Sequence, residues 1–141
     1  MGAFSNYLEN QIANWLTATT MPAAPTTLYV ALFSTDPTDA GGGTELTTAI
    51  TGAATRVGVA GGSWTKITAA TTVDASIKNT NEITITNSSL SSTTLNASHF
   101  GVFSNSTGGD LLFHGQLAST IPIALNDAVK FAPNAITLTI Q

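Results

Sequence analysis

Apolar and polar residues alternate in short blocks along this chain, and the clearest blocks lie between residues 98 and 117. Apolar runs at 100–103 and 111–113 flank the polar segment 105–110, which contains Gly108 and Gly109. Glycine adopts positive φ without steric cost, so two β-prone runs around such a segment predict a β-hairpin. Both runs carry apolar residues at adjacent positions, which is typical of strands buried on both faces. We therefore place this hairpin at the centre of a β-rich core.

Residues 5–16 carry the pattern of an amphipathic helix. Four apolar residues recur there at helical spacing and form one stripe: Leu8, Ile12, Trp15 and Leu16. Asn6 and Glu9 have the spacing of a capping box, and Pro22 cannot continue the helix. A stripe that contains Trp must cover a hydrophobic surface, which is either the protein's own sheet or a neighbouring subunit.

The remaining pattern is one of short strands separated by turns. Strands are predicted at 27–34, 53–60, 64–70, 82–86, 121–124, 128–131 and 135–141. Residues 73–80 could be strand or loop, and the polar stretch 87–96 indicates a long loop. Residues 27–34 carry apolar side chains on both faces and are expected to lie centrally.

These elements predict a mainly β protein with one N-terminal amphipathic helix. The expected architecture is a single antiparallel β-sandwich or a jelly-roll-like barrel. Residues 1–20 are expected to form the helix and an arm, and residues 21–141 the β-rich domain, within one structural domain overall. A chain of 141 residues is long enough to bury its own core.

Charged residues make up only 9% of the chain, and the net charge is −4. The basic residues are Arg56, Lys66, Lys78 and Lys130. So few cations argue against a nucleic-acid partner and against an anionic membrane surface. No apolar run approaches the length of a transmembrane helix, no secretory signal is recognisable, and there is no cysteine. A surface rich in Thr and poor in charge suits a subunit packed against other subunits.

The segment 35–48 gathers Asp36, Asp39 and Glu45 beside three glycines. Carboxylates in a loop can bind Ca²⁺, which needs six or more oxygen ligands. The spacing lacks the alternation of an EF-hand, so a solvated loop with an Asp-Pro turn is the alternative. We expect no cofactor.

Candidate catalytic groups are few, because the chain has two histidines, His99 and His114. Ser98 or Ser104 could be combined with a histidine and Asp110, but no G-x-S-x-G nucleophile elbow is present. A serine near a histidine is expected by chance in a serine-rich chain. The lone Arg56 is more typical of a salt bridge, or of a side chain that covers apolar surface, than of catalysis. We therefore predict that the protein is not an enzyme.

Several segments in order resemble a family of short bacteriophage virion proteins that are often labelled tail fibre proteins. The similar segments are SNYLENQIANWL, LYVALFSTDPTDAGGGTEL, HFGVFSNSTGGDLLFHGQL and residues 121–131. The family commonly has an aromatic residue before the arginine, whereas Ala54 and Thr55 precede Arg56 here. The resemblance implies a non-enzymatic structural protein of the virion, made in the host cytoplasm. Similar β-rich proteins act as capsid decoration proteins, as fibre or tail components, or as connectors.

Capsid decoration is the first expectation, because the chain shows neither the repeats nor the coiled coil of a long fibre. The alternative is a tail fibre or tail-tip module that contacts the host surface. The expected partners are other virion proteins, either the major capsid protein or tail proteins, and further copies in a homo-oligomer such as a trimer. The predicted partner-binding residues are Leu8, Ile12, Trp15, Leu16, Met21, Pro22 and Pro25. The loops at 36–45 and 87–96 are the next candidates.

Overall fold

The computed structural model describes residues 2–46, 56–70, 73–87 and 94–140. The elements before residue 70 are β1 (Ala3–Phe4), α1 (Asn6–Leu16), β2 (Thr27–Phe33), β3 (Val57–Ala60) and β4 (Trp64–Ile67). The later strands are β5 (Ala75–Asn79), β6 (Ile83–Thr86), β7 (Leu95–Phe103), β8 (Leu111–Ile123), β9 (Ala128–Phe131) and β10 (Thr137–Ile140). Parts of the predicted strand 53–60 and of the predicted loops 35–48 and 87–96 lie outside the described residues.

The strands form antiparallel sheets, which confirms the predicted mainly β fold with one N-terminal helix. The largest sheet has five strands in the order β1-β8-β7-β2-β3. A three-stranded sheet has the order β10-β5-β4, and β6 pairs with β9. Gly2 donates its amide to the Thr137 carbonyl at 2.9 Å, so the start of the chain connects the five-stranded sheet to β10. Among the described strands no sheet closes into a barrel.

The predicted hairpin is present as β7 and β8, and it is central because β7 also pairs with β2. Both strands are longer than the sequence indicated. β7 begins at Leu95, inside the predicted loop, and β8 continues through Ile123, so residues 121–123 are not a separate strand. The pairing of β7 with β8 shifts its register at an irregularity. Ala97 pairs with Ile121, whereas His99 pairs with Gln116. Such irregular pairing has no periodic signal in the sequence.

Strand β2 is buried on both faces, as its apolar pattern predicted. Val30 and Leu32 contribute to the main core, which lies between the five-stranded sheet and the strands β5, β6, β9 and β10. Ala31 and Phe33 point to the other face, where they form a second cluster with Phe103 and Leu111. The rings of Phe33 and Phe103 stack there, with centroids 6.1 Å apart. We call this group of four residues the outer cluster.

Helix α1 is capped by Ser5 and not by Asn6, so the predicted capping box was wrong by one residue. Ser5 has extended backbone angles, and its Oγ accepts a hydrogen bond from the Leu8 amide at 3.2 Å. The same hydroxyl donates to the Leu111 carbonyl, which fastens the start of the helix to β8. Ser5 is buried and Asn6 is exposed. The tertiary contact to Leu111, which local spacing does not reveal, thus selects Ser5.

Residues 73–80, for which the sequence allowed either a strand or a loop, contain β5. Its last residue, Asn79, is fully buried and all of its side-chain hydrogen-bonding groups have partners. Nδ2 donates to the carbonyls of Asn81 and Ala132, both at 2.8 Å, and Oδ1 accepts from the Ile136 amide at 2.9 Å. Asn79 therefore links β5 to the segment that leads into β10.

Candidate functional site

The predicted partner-binding stripe of α1 is divided between the protein's own sheet and solvent. Leu8 and Ile12 are half-buried near β8, whereas Trp15 and Leu16 are 62% and 72% exposed. Helix α1 has no fully buried residue, although its position after β1 fixes its start on the sheet. The end of the helix therefore presents a large apolar surface that no described part of the chain covers.

The segment after α1 continues this apolar surface. Met21, Pro22 and Pro25 are exposed, as are all residues from 17 to 26. Between α1 and this segment lies a groove of about 580 Å³. Its lining is mainly apolar and includes Tyr7, Leu8, Gln11, residues 21–25 and Leu112. We call residues 21–25 the arm, and the space between it and α1 the arm groove. The structure thus brings together most of the predicted partner-binding residues without showing what they bind.

A second candidate region lies over the outer cluster, where loop 35–46 meets the hairpin turn 104–110. Arg56 is buried between them and makes a two-pronged ion pair with Glu45, with N–O distances of 2.7 and 2.8 Å. Its Nη1 also donates to the carbonyls of Asn105 and Gly108, at 3.0 and 2.6 Å. The guanidinium carbon lies 3.5 Å from the centre of the Phe103 ring. The sequence prediction of a salt bridge and an apolar-covering role for Arg56 is confirmed.

Arg56 therefore fixes the shape of two loops at once. Its four hydrogen bonds are made along the edges of the planar guanidinium group, and the Phe103 ring covers one of its faces. The turn itself needs its glycines, since Gly108 and Gly109 have φ of +59° and +70°. A side chain on Gly109 would come within 2.7 Å of Asn105 Cβ. The hairpin turn is consequently held in one conformation at the surface.

His114 lies on β8 beneath the same loop, against two carboxylates. Its Nε2 is 3.0 Å from Asp39 Oδ1, and its Nδ1 is 3.4 Å from Asp36 Oδ1. His114 is buried, whereas both carboxylates are about half exposed. Each ring nitrogen faces a different carboxylate, so the three groups do not converge on one point. Among the described residues no three His, Asp or Glu side chains are grouped as ligands for a metal ion.

A smaller pocket of about 340 Å³ opens between the start of α1 and the two loops. Its lining includes Tyr7, Asp39, Phe103 and Asp110. Burial, followed by the charge of Asp110 and a hydrogen bond to it, raises the pKa of Tyr7. The phenol therefore stays protonated and donates to Asp110, which orders one wall of the pocket. Sequence reasoning missed this pair, because the two residues lie far apart along the chain.

The serine and histidine candidates do not form a catalytic relay. Ser98 Oγ donates to the Ser34 carbonyl at 2.8 Å, so the contact of the same oxygen with His99 Nδ1, also 2.8 Å, assigns the ring nitrogen as donor. A nitrogen that donates to serine cannot act as its base. Ser104 Oγ accepts from the Asp110 amide instead of facing a histidine. These contacts tie the hairpin to its neighbours.

The geometry is that of a β scaffold with two ordered surfaces, an apolar one at α1 and a polar one at the loops. The chain matches the family model described as Podophage GP4 fiber I protein gp80 over residues 3–139. It belongs to this gp80 fibre family. Comparison with curated proteins gives no match. No helix among the described ranges is long and apolar enough to cross a membrane.

Membership of the gp80 family confirms the resemblance to phage fibre proteins seen in the sequence. It indicates a virion structural protein that interacts with other virion proteins. Capsid decoration, the first expectation, is not supported, and the tail-fibre alternative fits better. The expectation rested on the absence of repeats and coiled coils from this chain. That absence describes a single module and does not decide between a head and a tail, because a compact β domain can be mounted on either.

Proposed function

We propose that this chain is a non-enzymatic structural module of a podophage tail fibre. The match of residues 3–139 to a podophage fibre family is the observation that carries this proposal. The module attaches to neighbouring virion proteins through α1 and the arm, and it presents the loop surface around Asp36, Asp39 and Asp110 to the host. The protein acts by binding and rigidity, with no chemical step.

The exposed end of α1 supports the attachment role. Trp is enriched among the residues that dominate binding energy at protein interfaces, and Trp15 is largely exposed here. The predicted set remains the proposed attachment surface: Leu8, Ile12, Trp15, Leu16, Met21, Pro22 and Pro25. Residues 1–20 are not separable from the sheet, since β1 pairs with β8 and Ser5 bonds to Leu111. Point variants at Trp15 and Leu16 are therefore better tests than truncation.

Labelling of intact virions with an antibody against this chain, viewed by electron microscopy, tests the location. Label at the tail is expected, and label spread evenly over the head would overturn the fibre proposal. Virions assembled with Trp15→Ala in place of the wild-type chain should carry less label or none. Leu125→Ala is the matched control, because Leu125 is also an exposed large apolar residue. Full labelling of virions that carry Trp15→Ala would show that attachment lies elsewhere.

The pocket at Tyr7 favours a host ligand rich in hydroxyl groups, such as a surface polysaccharide. Carboxylates of Asp39 and Asp110 accept hydrogen bonds from hydroxyls, and the half-buried Tyr7 side chain adds apolar ring surface to the lining. Binding of purified chain to host cell-surface polysaccharide should fall in Asp110→Asn. Asp74→Asn provides the control, because Asp74 is exposed and does not line this pocket. Equal binding by both variants would exclude the pocket from host contact.

A further inference from the structure

His114 lies in β8 between two strand neighbours that have no polar side chain. It pairs with Ala3 of β1 on one side and with Gly101 of β7 on the other. Residues that pair across strands share one face of a sheet, so only a methyl group and a hydrogen atom flank the imidazole. The buried ring therefore takes its ionic contacts from loop 35–46, through Asp36 and Asp39.

The two contacts of the His114 ring differ in the protons that they require. An ionised carboxylate only accepts hydrogen bonds, and a neutral imidazole carries a single N–H. A neutral ring can donate to one aspartate and then turns a lone pair toward the other. The imidazolium carries two N–H groups. With Nε2 at 3.0 Å from Asp39 and Nδ1 at 3.4 Å from Asp36, the arrangement fits the doubly protonated ring.

Asp36 and Asp39 belong to one short, tightly folded segment. Asp36 Oδ1 also accepts from the Thr38 amide at 2.9 Å, and the Asp39 carbonyl accepts from the Asn6 amide at 2.8 Å. The chain returns against Asp36 at Gly43, where a Cβ would lie 2.6 Å from the Asp36 carbonyl oxygen. Loss of one carboxylate contact to the ring is therefore transmitted to the other carboxylate.

Asp39 connects the histidine to the pocket of about 340 Å³ beside the start of α1, which we call the Tyr7 pocket. Asp39 is among the residues that line it, and His114 is not, so the histidine acts on the pocket through the aspartate. The far end of the loop is fixed by the pair of Arg56 and Glu45, and arginine keeps its charge at all ordinary pH values. The loop thus has one permanent attachment and one that depends on protons.

We infer that doubly protonated His114 positions Asp39 in the wall of the Tyr7 pocket, and that the wall shifts when the ring loses a proton. The inference rests on the proposed function and adds control by pH to the site of host contact. Histidine side chains change charge between about pH 5 and 8. The Tyr7 pocket should therefore hold its ligand best at the acidic end of this range and more weakly as the pH rises.

The other titratable groups on the surrounding elements can be separated from His114. They are Tyr7 and Glu9 on α1, His99 on β7, Asp110 in the hairpin turn, and the paired Arg56 and Glu45. Carboxyl groups, phenols and guanidinium groups ordinarily titrate outside the range from about pH 5.5 to 8.5. His99 is of the type that titrates within it, and the chain has two histidines, so one variant of each assigns the effect.

Nuclear magnetic resonance of the purified full-length chain, from about pH 5.5 to 8.5, tests the coupling without a ligand. The amides of Thr38 and Asn6 should shift along one curve that coincides with the titration of the His114 ring. The Leu46 amide, which donates to the Leu32 carbonyl, serves as the reference and should stay unchanged. A His114 ring that titrates without a response at Thr38 and Asn6, or that does not titrate in this range, would overturn the inference.

Variants assign the response to the proton of one ring. His114→Gln can still donate a hydrogen bond but does not change charge, so the response of the Thr38 amide should disappear. His99→Gln is the matched control and should retain it. Asp36→Asn removes the charge that faces Nδ1, keeps the oxygen that accepts from Thr38, and leaves β8 unaltered, so it should reduce the response. Circular dichroism verifies folding, and a full response in His114→Gln or in Asp36→Asn would contradict the inference.

Binding to host cell-surface polysaccharide at the two ends of the pH range separates this inference from the proposed function. The wild-type chain should bind about threefold more weakly at the alkaline end, because fewer molecules hold Asp39 in place. Equal binding at both ends would leave host contact standing and overturn control by His114. Absence of binding at either pH, together with the coupled amide response, would remove host contact and leave the positioning of Asp39 by His114.

Discussion

Arg56 and Glu45 face each other as two parallel forks. Nε and Nη2 of the arginine donate to the two carboxylate oxygens, at 2.7 and 2.8 Å. Both side chains are largely buried, at 8% and 16% exposure, and the arginine stacks on Phe103. Buried two-pronged pairs depend on geometry, because neither charge can be left alone without a large desolvation cost. The pair joins loop 35–46 to the outer cluster.

Removal of either partner should destabilise the protein strongly. Glu45→Ala leaves a buried guanidinium without its carboxylate and should lower the free energy of unfolding by about 3 kcal/mol. Arg56→Lys keeps the charge but loses the planar fork and the bonds to the turn, and should cost about 2 kcal/mol. Urea denaturation followed by fluorescence measures both. Wild-type stability in Arg56→Lys would show that charge alone suffices.

Glu82→Ala serves as the matched control for Glu45→Ala. Glu82 pairs with Lys130 at 3.0 Å on the surface, where a hydrogen bond from Lys130 and its charge lower the pKa of Glu82. An exposed pair of this kind contributes little to stability because water screens it. Glu82→Ala should leave the denaturation midpoint unchanged. A loss of stability as large as that of Glu45→Ala would show that burial does not explain the difference between the two ion pairs.

Ser5→Ala should destabilise helix α1 and its attachment to the sheet. The Leu8 amide loses its acceptor and the buried Leu111 carbonyl loses its donor, at a combined cost of about 2–4 kcal/mol. Hydrogen exchange of the Leu8 amide should accelerate with the loss of stability. Asn6→Ala, at the position that spacing alone suggested, should change stability by less than about 0.5 kcal/mol. A larger loss of stability in Asn6→Ala than in Ser5→Ala would identify Asn6 as the cap.

Asn79→Asp should be among the most damaging single-atom changes available in this fold. The carboxylate would face the carbonyls of Asn81 and Ala132 without a proton to donate, inside a fully buried site. An uncompensated buried charge costs more than about 3 kcal/mol. Thermal unfolding compares it with Asn81→Asp, whose exposed side chain should tolerate the charge. Similar melting temperatures for the two variants would show that Asn79 is not required as a donor.

Tyr7 gives the protein a pH dependence at the alkaline end. The folded pKa of Tyr7 is raised, first by burial and then by Asp110, so folding favours the protonated phenol. This contribution is complete below the unfolded pKa of about 10 and is lost as pH rises through the higher folded value. Ultraviolet titration in a Tyr29→Phe background isolates Tyr7, since the chain has two tyrosines. Asp110→Asn should lower the pKa of Tyr7 toward its ordinary value, and an unchanged pKa would exclude Asp110 as a cause.

The central strands of the sheet were predictable from sequence because their apolar runs are continuous and bounded by turn residues. Apolar residues on both faces of β2, and the apolar runs around Gly108 and Gly109, indicated these strands and the hairpin turn. The lone Arg56 indicated a salt bridge or a side chain that covers apolar surface, and in the structure it pairs with Glu45 and lies on the Phe103 ring. Each of these inferences follows from a residue's chemistry and not from its distant neighbours.

The features that sequence could not supply depend on contacts between distant segments. Ser5 outcompetes Asn6 as helix cap because of Leu111, more than a hundred positions away. The length of β8 follows from a bulge opposite Ala97 and His99. The exposure of Trp15 is equally invisible in a helical pattern, because the stripe looks the same whether it covers the protein's own sheet or a partner. The residue types thus identified the α1 stripe as a candidate interface, and the fold showed that Trp15 and Leu16 at its end are exposed.

The position of β1 between β8 and β10 has a consequence for the order in which the protein matures. Gly2, Ala3 and Phe4 are synthesised more than a hundred positions before their pairing partners, which lie at 113–114 and 137–138. A nascent chain therefore cannot anchor the start of α1 until those partner strands have been translated. The surface that carries Trp15 reaches its final orientation only after that late pairing step.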